Sequence, residues 1–167
     1  PKLLDAVIDI SKEVGTFLKN EQSKIRNTDI EIKSRSNDLV SRADKEAEQR
    51  FVKLLSELLP GAGFIAEEGT SDKRGEIYNW IIDPLDGTTN YLYGIPCYCT
   101  SVALQKDGEL ILGVIYDPEF DECFAAQKGQ GAFLNDAPIG VSTTKNLENS
   151  LIVMGFPYDN RGRQKDY

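Results

Sequence analysis

Near the start of the chain, apolar residues recur every three to four positions, which is the period of an amphipathic α-helix. The first apolar stripe consists of Leu3, Val7, Ile10, Val14 and Phe17. The second consists of Val40, Ala43, Ala47, Phe51, Leu54 and Leu58. We expect the second helix to begin near Asp38 and to end at Pro60–Gly61. Residues 25–37 are polar and lack this period, so we predict an extended arm and a mobile loop there.

Short apolar runs bounded by turn residues follow, and they predict β-strands. The runs cover Gly63–Ala66, Tyr78–Ile82, Cys99–Gln105, Leu110–Tyr116, Glu122–Ala126 and Ser150–Met154. Turns are expected at "KDGE" (106–109) and in the glycine-rich stretch "KGQGAFLND" (128–136). Two helices followed by consecutive strands favour a layered α+β fold, and 167 residues fit a single domain, 1–167.

Composition narrows the class of protein. The net charge of −8 and the pI near 4.6 argue against nucleic-acid binding, which needs a basic face. No apolar run approaches the ~18 residues that span a bilayer, so we expect no membrane segment. The odd set of three cysteines lacks zinc-ligand spacing, and reduced thiols in a cytoplasmic protein are the simplest interpretation.

Histidine is absent from the sequence. This absence excludes Ser–His–Asp hydrolases, phosphohistidine chemistry and zinc sites with histidine ligands. Any chemistry must therefore depend on carboxylates, hydroxyls, lysines and the metal ions that they bind.

Two groups of carboxylates interrupt the apolar pattern. Asp44 lies about 40° from the centre of the second helical stripe, so its carboxylate should point toward the core. A buried charge is costly unless it is paired, hydrogen-bonded or bound to metal, so Asp44 is either functional or part of an interior ion pair. Glu67 and Glu68 end the apolar run "GFIA", and they are either functional or simply solvated.

The stretch "WIIDPLDGTTN" (80–90) is the most specific signal. Asp83 and Asp86 would repel each other unless a cation or a proton lies between them. Mg²⁺ commonly binds one or two carboxylates together with water and substrate phosphate. Gly87 permits close backbone approach, and the amides of residues 87–89 can begin a helix whose N-terminus favours an anion. A plain turn that closes a strand is the alternative, but carboxylates for metal beside amides for phosphate predict a metal-dependent phosphate site.

These residues resemble the inositol monophosphatase family of Mg²⁺-dependent, lithium-sensitive phosphatases. The resemblance runs from the first helix to "GFPYD" (155–159). The motifs occur in the family's order: "DLVSRAD" (38–44), "GFIAEEG" (63–69), "WIIDPLDGTTN" (80–90), "GVIYDP" (113–118) and "GQGAFLN" (129–135). It implies a layered α-β-α-β-α sandwich of the sugar-phosphatase type, a homodimer, and two or three Mg²⁺ ions in each site.

The resemblance also implies roles for individual residues. The metal ligands would be Glu67, Asp83, Asp86 and the backbone carbonyl of Leu85, with Asp83 bridging two ions. Asp44 and Thr88 would orient and deprotonate the attacking water. The phosphate site would be lined by Leu85, Asp86, Gly87 and Thr88, with Glu67 near it. Lys33 matches the lysine of the family's mobile loop, and Ser41 stands where the family often has threonine.

One family signature, W-D-x-A-A-G, lies in a C-terminal half that this chain lacks. It supplies the remaining metal ligand and contacts to the substrate alcohol, so we expect the chain to be the N-terminal α+β portion of the catalytic domain.

The expected function is hydrolysis of a phosphate monoester by metal-activated water, with inositol monophosphate as the substrate. A sugar bisphosphate, a 3′-phosphonucleotide and NADP are alternative substrates, and a non-catalytic module that binds metal or phospholigands is an alternative class. A haloacid-dehalogenase-type phosphatase is disfavoured, because D-x-x-D-G-T is one residue longer than its D-x-D-G-T motif.

Overall fold

The computed structural model describes residues 2–26, 33–66, 69 and 73–153, with the backbone alone at 25–26 and 33–41. Two long helices come first, α1 (Lys2–Arg26) and α2 (Lys33–Leu58). A short helix, α3 (Thr88–Tyr93), lies between the second and third strands. The strands are β1 (Gly63–Ala66), β2 (Tyr78–Asp86), β3 (Cys99–Lys106), β4 (Glu109–Asp117), β5 (Glu122–Gln127), β6 (Gly131–Leu134) and β7 (Ala137–Ile139). A 3-10 turn follows at Leu147–Asn149.

In the part of the chain that the structure describes, seven strands form one sheet in which spatial order equals chain order. β1 runs parallel to β2, and every later pair is antiparallel. The α+β class is therefore confirmed, with helices first and a strand meander after them.

Both long helices pack on one face of this sheet, α2 against β2 and α1 against β3, β4 and β5. The core between the layers is built from side chains such as Val7, Val14, Leu18, Phe51, Leu55, Trp80, Val102 and Leu104. Gly15 lets α1 approach β4, since a Cβ there would lie 2.5 Å from Cδ1 of Tyr116. None of the described helices is long and apolar enough to cross a membrane.

The helical stripes differ in detail from the sequence expectation. On α1 the buried positions include Leu4, Ser11, Leu18 and Gln22, whereas Leu3, Ile10 and Phe17 are only half-buried. On α2 the buried positions are Ala43, Asp44, Ala47, Glu48, Phe51 and Leu55. Polar residues thus occupy part of each stripe, which a search for apolar periodicity does not detect. The inward orientation of Asp44 is confirmed, because the residue is 7% exposed.

Several element boundaries also differ from the expectation. α1 extends to Arg26 and α2 begins at Lys33, so the extended arm and loop expected over 25–37 are helical at both ends. Residues 27–32 lie outside the described residues. The stretch 128–136 contains the strand β6 as well as turns, and β7 was not anticipated. Residues 151–153 form no strand, because no described strand lies beside them and their side chains are exposed.

Among the described residues, the sheet face opposite the helices is apolar and is not covered by another element. Ile115 on β4 pairs in register with Phe124 on β5, and both point away from the helices. Ile115 is 46% exposed, Phe124 38% and Ile139 43%. A shallow hollow of about 290 Å³ lies over this face, lined by residues that include Ala103, Gly113 and Ala132.

Candidate active site

The two aspartates of the central motif lie on either side of a β-bulge at the end of β2. Asp83 pairs with Ser101 and Asp86 pairs with Cys99, and the register shifts between them. Pro84 and Leu85, within the bulge, are both buried, whereas Asp83 is half-buried and Asp86 is exposed. The bulge breaks the strict alternation of a strand, so Asp83 and Asp86, three residues apart, are both at least partly exposed while the two residues between them are buried.

The apolar run in the sequence predicted that this strand ends at Ile82, before the first aspartate. Instead β2 continues to Asp86. A bulge leaves its extra residues outside the ladder, so a proline is tolerated there.

Gly87 turns the chain from β2 into α3. Its φ of 93° is in the left-handed region, and a Cβ there would lie 2.8 Å from the carbonyl oxygen of Cys97. The N–H of Tyr91 donates to the carbonyl of Gly87 over 2.9 Å, which makes it the first amide in the helical ladder. The N-terminal end of α3 therefore follows directly after the end of β2.

Thr88 is joined directly to the bulge. Its Oγ1 donates a hydrogen bond to the carbonyl of Leu85 over 3.1 Å. The hydroxyl has a single proton, so its lone pairs are left to accept a hydrogen bond from another group. The structure thus places a catalytic candidate against a carbonyl that the resemblance assigns to the metal.

Asp44 approaches the same region from α2. This helix packs against both β2 and α3. Burial raises the pKa of the Tyr91 phenol well above its usual value, and the carboxylates of Glu21 and Asp44 add to the rise. Asp44 therefore lies close enough to α3 to act electrostatically on a residue one turn after Thr88.

Several carboxylates lie near the thiol of Cys99. Burial raises the pKa of this thiol to about 12. Three carboxylates add to the rise, in decreasing order Asp86, Asp83 and Asp117. The sequence analysis did not single out Asp117, although "GVIYDP" contains it. Its Oδ1 accepts the backbone N–H groups of Glu119 at 2.8 Å and Phe120 at 3.2 Å, so it also caps the β4–β5 turn.

The donor set at the end of β2 is suited to a hard divalent cation. Two carboxylates and a backbone carbonyl supply oxygen ligands, which Mg²⁺ prefers. Within the described residues no group of three or more carboxylate or thiol side chains is arranged to hold a metal ion. Glu67 lies outside the described residues. It directly follows Ala66, which pairs with Ile82, the residue before Asp83. The described residues thus fit part of a magnesium site.

Of the other residues singled out in the sequence, Lys33 is the first residue of α2 and Ser41 lies within the same helix. The side chains of both residues lie outside the described part of the structure. Two residues that the sequence analysis missed contact the site's scaffold: Gln22 of α1 and Tyr91 of α3 are hydrogen-bonded across the two helices.

Comparison with known proteins gives consistent matches. The profile of the inositol monophosphatase family matches residues 2–167. An inositol-1-monophosphatase of Mesorhizobium japonicum is 36% identical over 166 residues, covering 99% of this chain and 62% of that protein. A protein of Xylella fastidiosa named Nus factor SuhB is 38% identical over 160 residues, covering 96% and 58%.

A solved structure extends these matches to the fold. The inositol monophosphatase of Anabaena (Nostoc) sp. superposes with a TM-score of 0.80 at 36% identity, covering 96% of this chain and 57% of that one. The chain therefore spans about three fifths of the length of the relatives that it matches.

Proposed function

The chain belongs to the inositol monophosphatase family, and from this membership we propose that it provides the metal- and phosphate-binding part of a Mg²⁺-dependent phosphate-monoester hydrolase. The proposal concerns the whole protein, and this chain spans about three fifths of the length of its relatives. The observation that carries it is the end of β2, where Asp83 and Asp86 flank a bulge and Gly87 leads into α3.

The metal would be held at this end of the sheet. Asp83, half-buried at the start of the bulge, would bridge two ions, and the exposed Asp86 would bind one of them. The carbonyl of Leu85 would be a further ligand, and so would the carboxylate of Glu67, which lies outside the described residues. Bound Mg²⁺ supplies Lewis-acid chemistry: it lowers the pKa of water, neutralises phosphoryl oxygens and stabilises the leaving alkoxide.

Asp44 and Thr88 would act on the attacking water. Thr88 donates its proton to Leu85, so it can only accept a hydrogen bond from the water and thereby orients it. Asp44 is buried on α2, the helix that packs against α3, and it would take the proton. The two residues belong to different helices, so their separation depends on how α2 and α3 pack.

The phosphate would lie against the start of α3. The backbone from Leu85 to Thr88 would line it, with Glu67 near it. Gly87 would suit this role, because its left-handed φ lets the chain turn directly from the strand end into the first turn of a helix, whose amides favour an anion. Backbone donors allow a protein of net charge −8 to hold a phosphate dianion beside its own carboxylates.

By the same family membership we propose inositol monophosphate as the substrate, with a sugar bisphosphate, a 3′-phosphonucleotide and NADP as competitors. We also propose a homodimer, lithium inhibition and a cytoplasmic location. The location is supported by the three cysteines, which are free thiols.

The decisive experiment is a screen of phosphate monoesters with the complete natural polypeptide, with Mg²⁺ and with chelator. We expect Mg²⁺-dependent release of inorganic phosphate, fastest from inositol monophosphate and inhibited by millimolar lithium. Equal release with chelator would contradict the metal assignment, and a faster competitor substrate would replace the inositol assignment.

A second candidate function is an interaction module without turnover, which the name of the Xylella fastidiosa relative favours. The same screen separates the two candidates. An intact, folded polypeptide that binds Mg²⁺ but hydrolyses none of the monoesters would support the module and contradict the enzyme.

A further inference from the structure

Two reciprocal hydrogen bonds attach α3 to α1. Tyr91 Oη donates to the carbonyl oxygen of Leu18 over 2.7 Å. Gln22 Nε2 donates to the carbonyl oxygen of Tyr91 over 3.1 Å. Each helix therefore supplies one side-chain donor and one backbone acceptor, and we call this pair of interactions, made by Gln22 and Tyr91, the α1–α3 clamp.

The clamp is buried, and its polar groups lie at positions that apolar side chains could fill equally well. Tyr91 is 0% exposed and Gln22 is 2% exposed. Gln22 continues the buried stripe of α1, a position that an apolar side chain of similar length would fill. Burial raises the pKa of Tyr91, so the phenol keeps its proton and remains a donor throughout the neutral pH range. Hydrogen bonds between buried polar groups are directional, so they fix the relative position of two helices more closely than apolar packing alone does.

α3 depends on these attachments because it is only six residues long, too short to be stable by itself. Its C-terminal end is held at the carbonyl of Tyr91, which accepts from Gln22 and also from the N–H of Gly94 at 3.2 Å. Its flank is held by Tyr98, whose ring meets the ring of Tyr91 edge-on at 4.9 Å. Its N-terminal residue is Thr88.

α1 therefore connects the two groups proposed to act on water. It holds α3 and Thr88 through the clamp, and it packs along α2, which carries Asp44. A small rotation of α3 on α1 would move Thr88 relative to Asp44 without breaking the sheet. Misplacement of a catalytic group by about 1 Å can cost roughly 100-fold in rate.

We propose that Gln22 and Tyr91 are positioning residues of the hydrolytic site, which fix α3 on α1 so that Thr88 and Asp44 contact the same water. The proposal rests on the proposed function. It assigns a role to a side-chain pair that touches neither metal nor substrate.

The chain offers a matched control for loss of a buried phenol. Tyr116 is 5% exposed, and its Oη donates to Asp121 Oδ1 over 3.0 Å. This hydrogen bond braces the β4–β5 turn and does not involve α3. Tyr116→Phe removes the same hydroxyl as Tyr91→Phe and separates general loss of a buried hydrogen bond from displacement of α3.

The first test is independent of activity. Amide hydrogen exchange is measured in the complete natural polypeptide for wild type, Tyr91→Phe, Gln22→Met and Tyr116→Phe. We expect the amides of Tyr91, Gly94 and Ile95 to exchange at least about tenfold faster in the two clamp variants and at the wild-type rate in Tyr116→Phe. Unchanged exchange of α3 in both clamp variants would overturn the proposal.

The second test is kinetic. In both clamp variants we expect kcat to fall by about 10- to 100-fold, while KM changes by less than about threefold. Tyr116→Phe should stay within about threefold of wild type in both constants. Because the clamp acts through Thr88, adding Tyr91→Phe to Thr88→Ala should lower kcat no further.

Different outcomes would overturn the positioning role and the proposed function. If the wild type turns over normally but the clamp variants have the same kcat as Tyr116→Phe, the positioning role alone is overturned. The same holds if Tyr91→Phe lowers kcat by the same factor in the Thr88→Ala background as in wild type. A folded wild type that turns over no monoester would overturn the proposed function and the positioning role with it.

Discussion

At the scale of single residues, three aspartates share the proposed site and differ in their exposure to water. Asp44 is buried, Asp83 is half-buried and Asp86 is exposed. A carboxylate shielded from water interacts more strongly with a cation or a proton than an exposed one does. Replacing each by the isosteric amide should therefore have a different effect.

Asp83→Asn should abolish most Mg²⁺ binding and, with it, turnover. The neutral amide weakens both ions that Asp83 would bridge, and calorimetry measures the loss directly. Asp107→Asn is the matched control: it makes the same chemical change in the exposed turn after β3, at the opposite end of that strand. Undiminished Mg²⁺ binding in Asp83→Asn would show that Asp83 is not a ligand.

Asp44→Asn should leave Mg²⁺ binding intact while kcat falls by about 10²–10⁴-fold, the usual scale for loss of a general base. The reason is that Asp44 would accept a proton without binding metal. Calorimetry and steady-state kinetics on the same sample separate the two effects. Turnover close to wild type would identify Asp44 as a structural carboxylate.

The raised pKa of Tyr116 predicts that the stability of the fold changes in alkaline solution. Burial, and after it the hydrogen bond to Asp121, raises the pKa of Tyr116 from 10.0 to about 12. Between these values the unfolded state loses the proton and the folded state keeps it, so stability is present below pH 10 and falls as pH rises toward about 12. Urea unfolding of wild type and Tyr116→Phe across this range should show a shallower fall in the variant. Parallel curves would contradict the assignment.

Single residues also show what the sequence could predict. The inward orientation of Asp44 followed from its place on an apolar stripe, because helical period fixes direction. Gln22 and Glu48 are equally buried, yet they were not anticipated. The buried side chain of Gln22 has its partner in another element, the carbonyl of Tyr91, and no local pattern encodes such a partner.

At the scale of elements, the turn from β2 into α3 depends on one glycine. The start of a helix after Asp86 could be predicted from "GTT", whereas the continuation of β2 through Pro84 could not. The bulge that tolerates Pro84 is defined by pairing with β3, which lies more than ten residues further along the chain.

Gly87→Ala should destabilise the protein and lower its activity. A φ of 93° strains an alanine, and the new Cβ would lie 2.8 Å from the Cys97 carbonyl oxygen. The control is Gly108→Ala, whose φ is 84° but whose Cβ would meet no atom within 4 Å. We expect Gly108→Ala to cost about 1 kcal/mol through strain alone. Gly87→Ala should cost about 1–3 kcal/mol more through the steric clash.

Chemical denaturation measures both variants, and Mg²⁺-dependent turnover reports the displacement of α3. Equal stability losses in the two variants would show that the chain around Cys97 relaxes without cost.

At the scale of the whole molecule, one sheet face is covered by helices and the other is open in the described residues. Ile115, Phe124 and Ile139 expose a contiguous apolar surface. Surfaces of this kind mark contacts with further protein. We propose that a further layer covers this face in the complete protein, consistent with the sandwich expected from the sequence and with relatives that are longer than this chain.

Phe124→Glu tests this arrangement in the complete natural polypeptide. If a layer covers the face, the charge is buried without a partner and unfolding free energy should fall by at least about 2 kcal/mol. Val141→Glu is the control, because Val141 is 96% exposed and its replacement should stay within about 0.5 kcal/mol of wild type. Equal stability of the two variants would mean that the face is open to solvent.

The overall architecture could be predicted better than the short or unpaired segments near the end of the described residues. Of the seven strands in the described residues, five could be predicted from apolar runs, because the alternation of a half-buried strand is a local pattern in the sequence. The three-residue β7 is too short to show a pattern. The strand expected from residue 150 illustrates the opposite error, because an apolar run forms a strand only where a partner pairs with it.

The sequential order of the sheet has a consequence for protein synthesis. Each strand from β2 to β7 pairs with the strand made immediately before it, so none of them has to wait for a later partner as the chain leaves the ribosome. Such local pairing favours rapid folding. Among the described residues the outer edge of this sheet is β7, which has only three residues and contains Pro138. A short edge strand with a proline is a poor template for pairing with another chain, so this edge is protected against aggregation while the chain is being made.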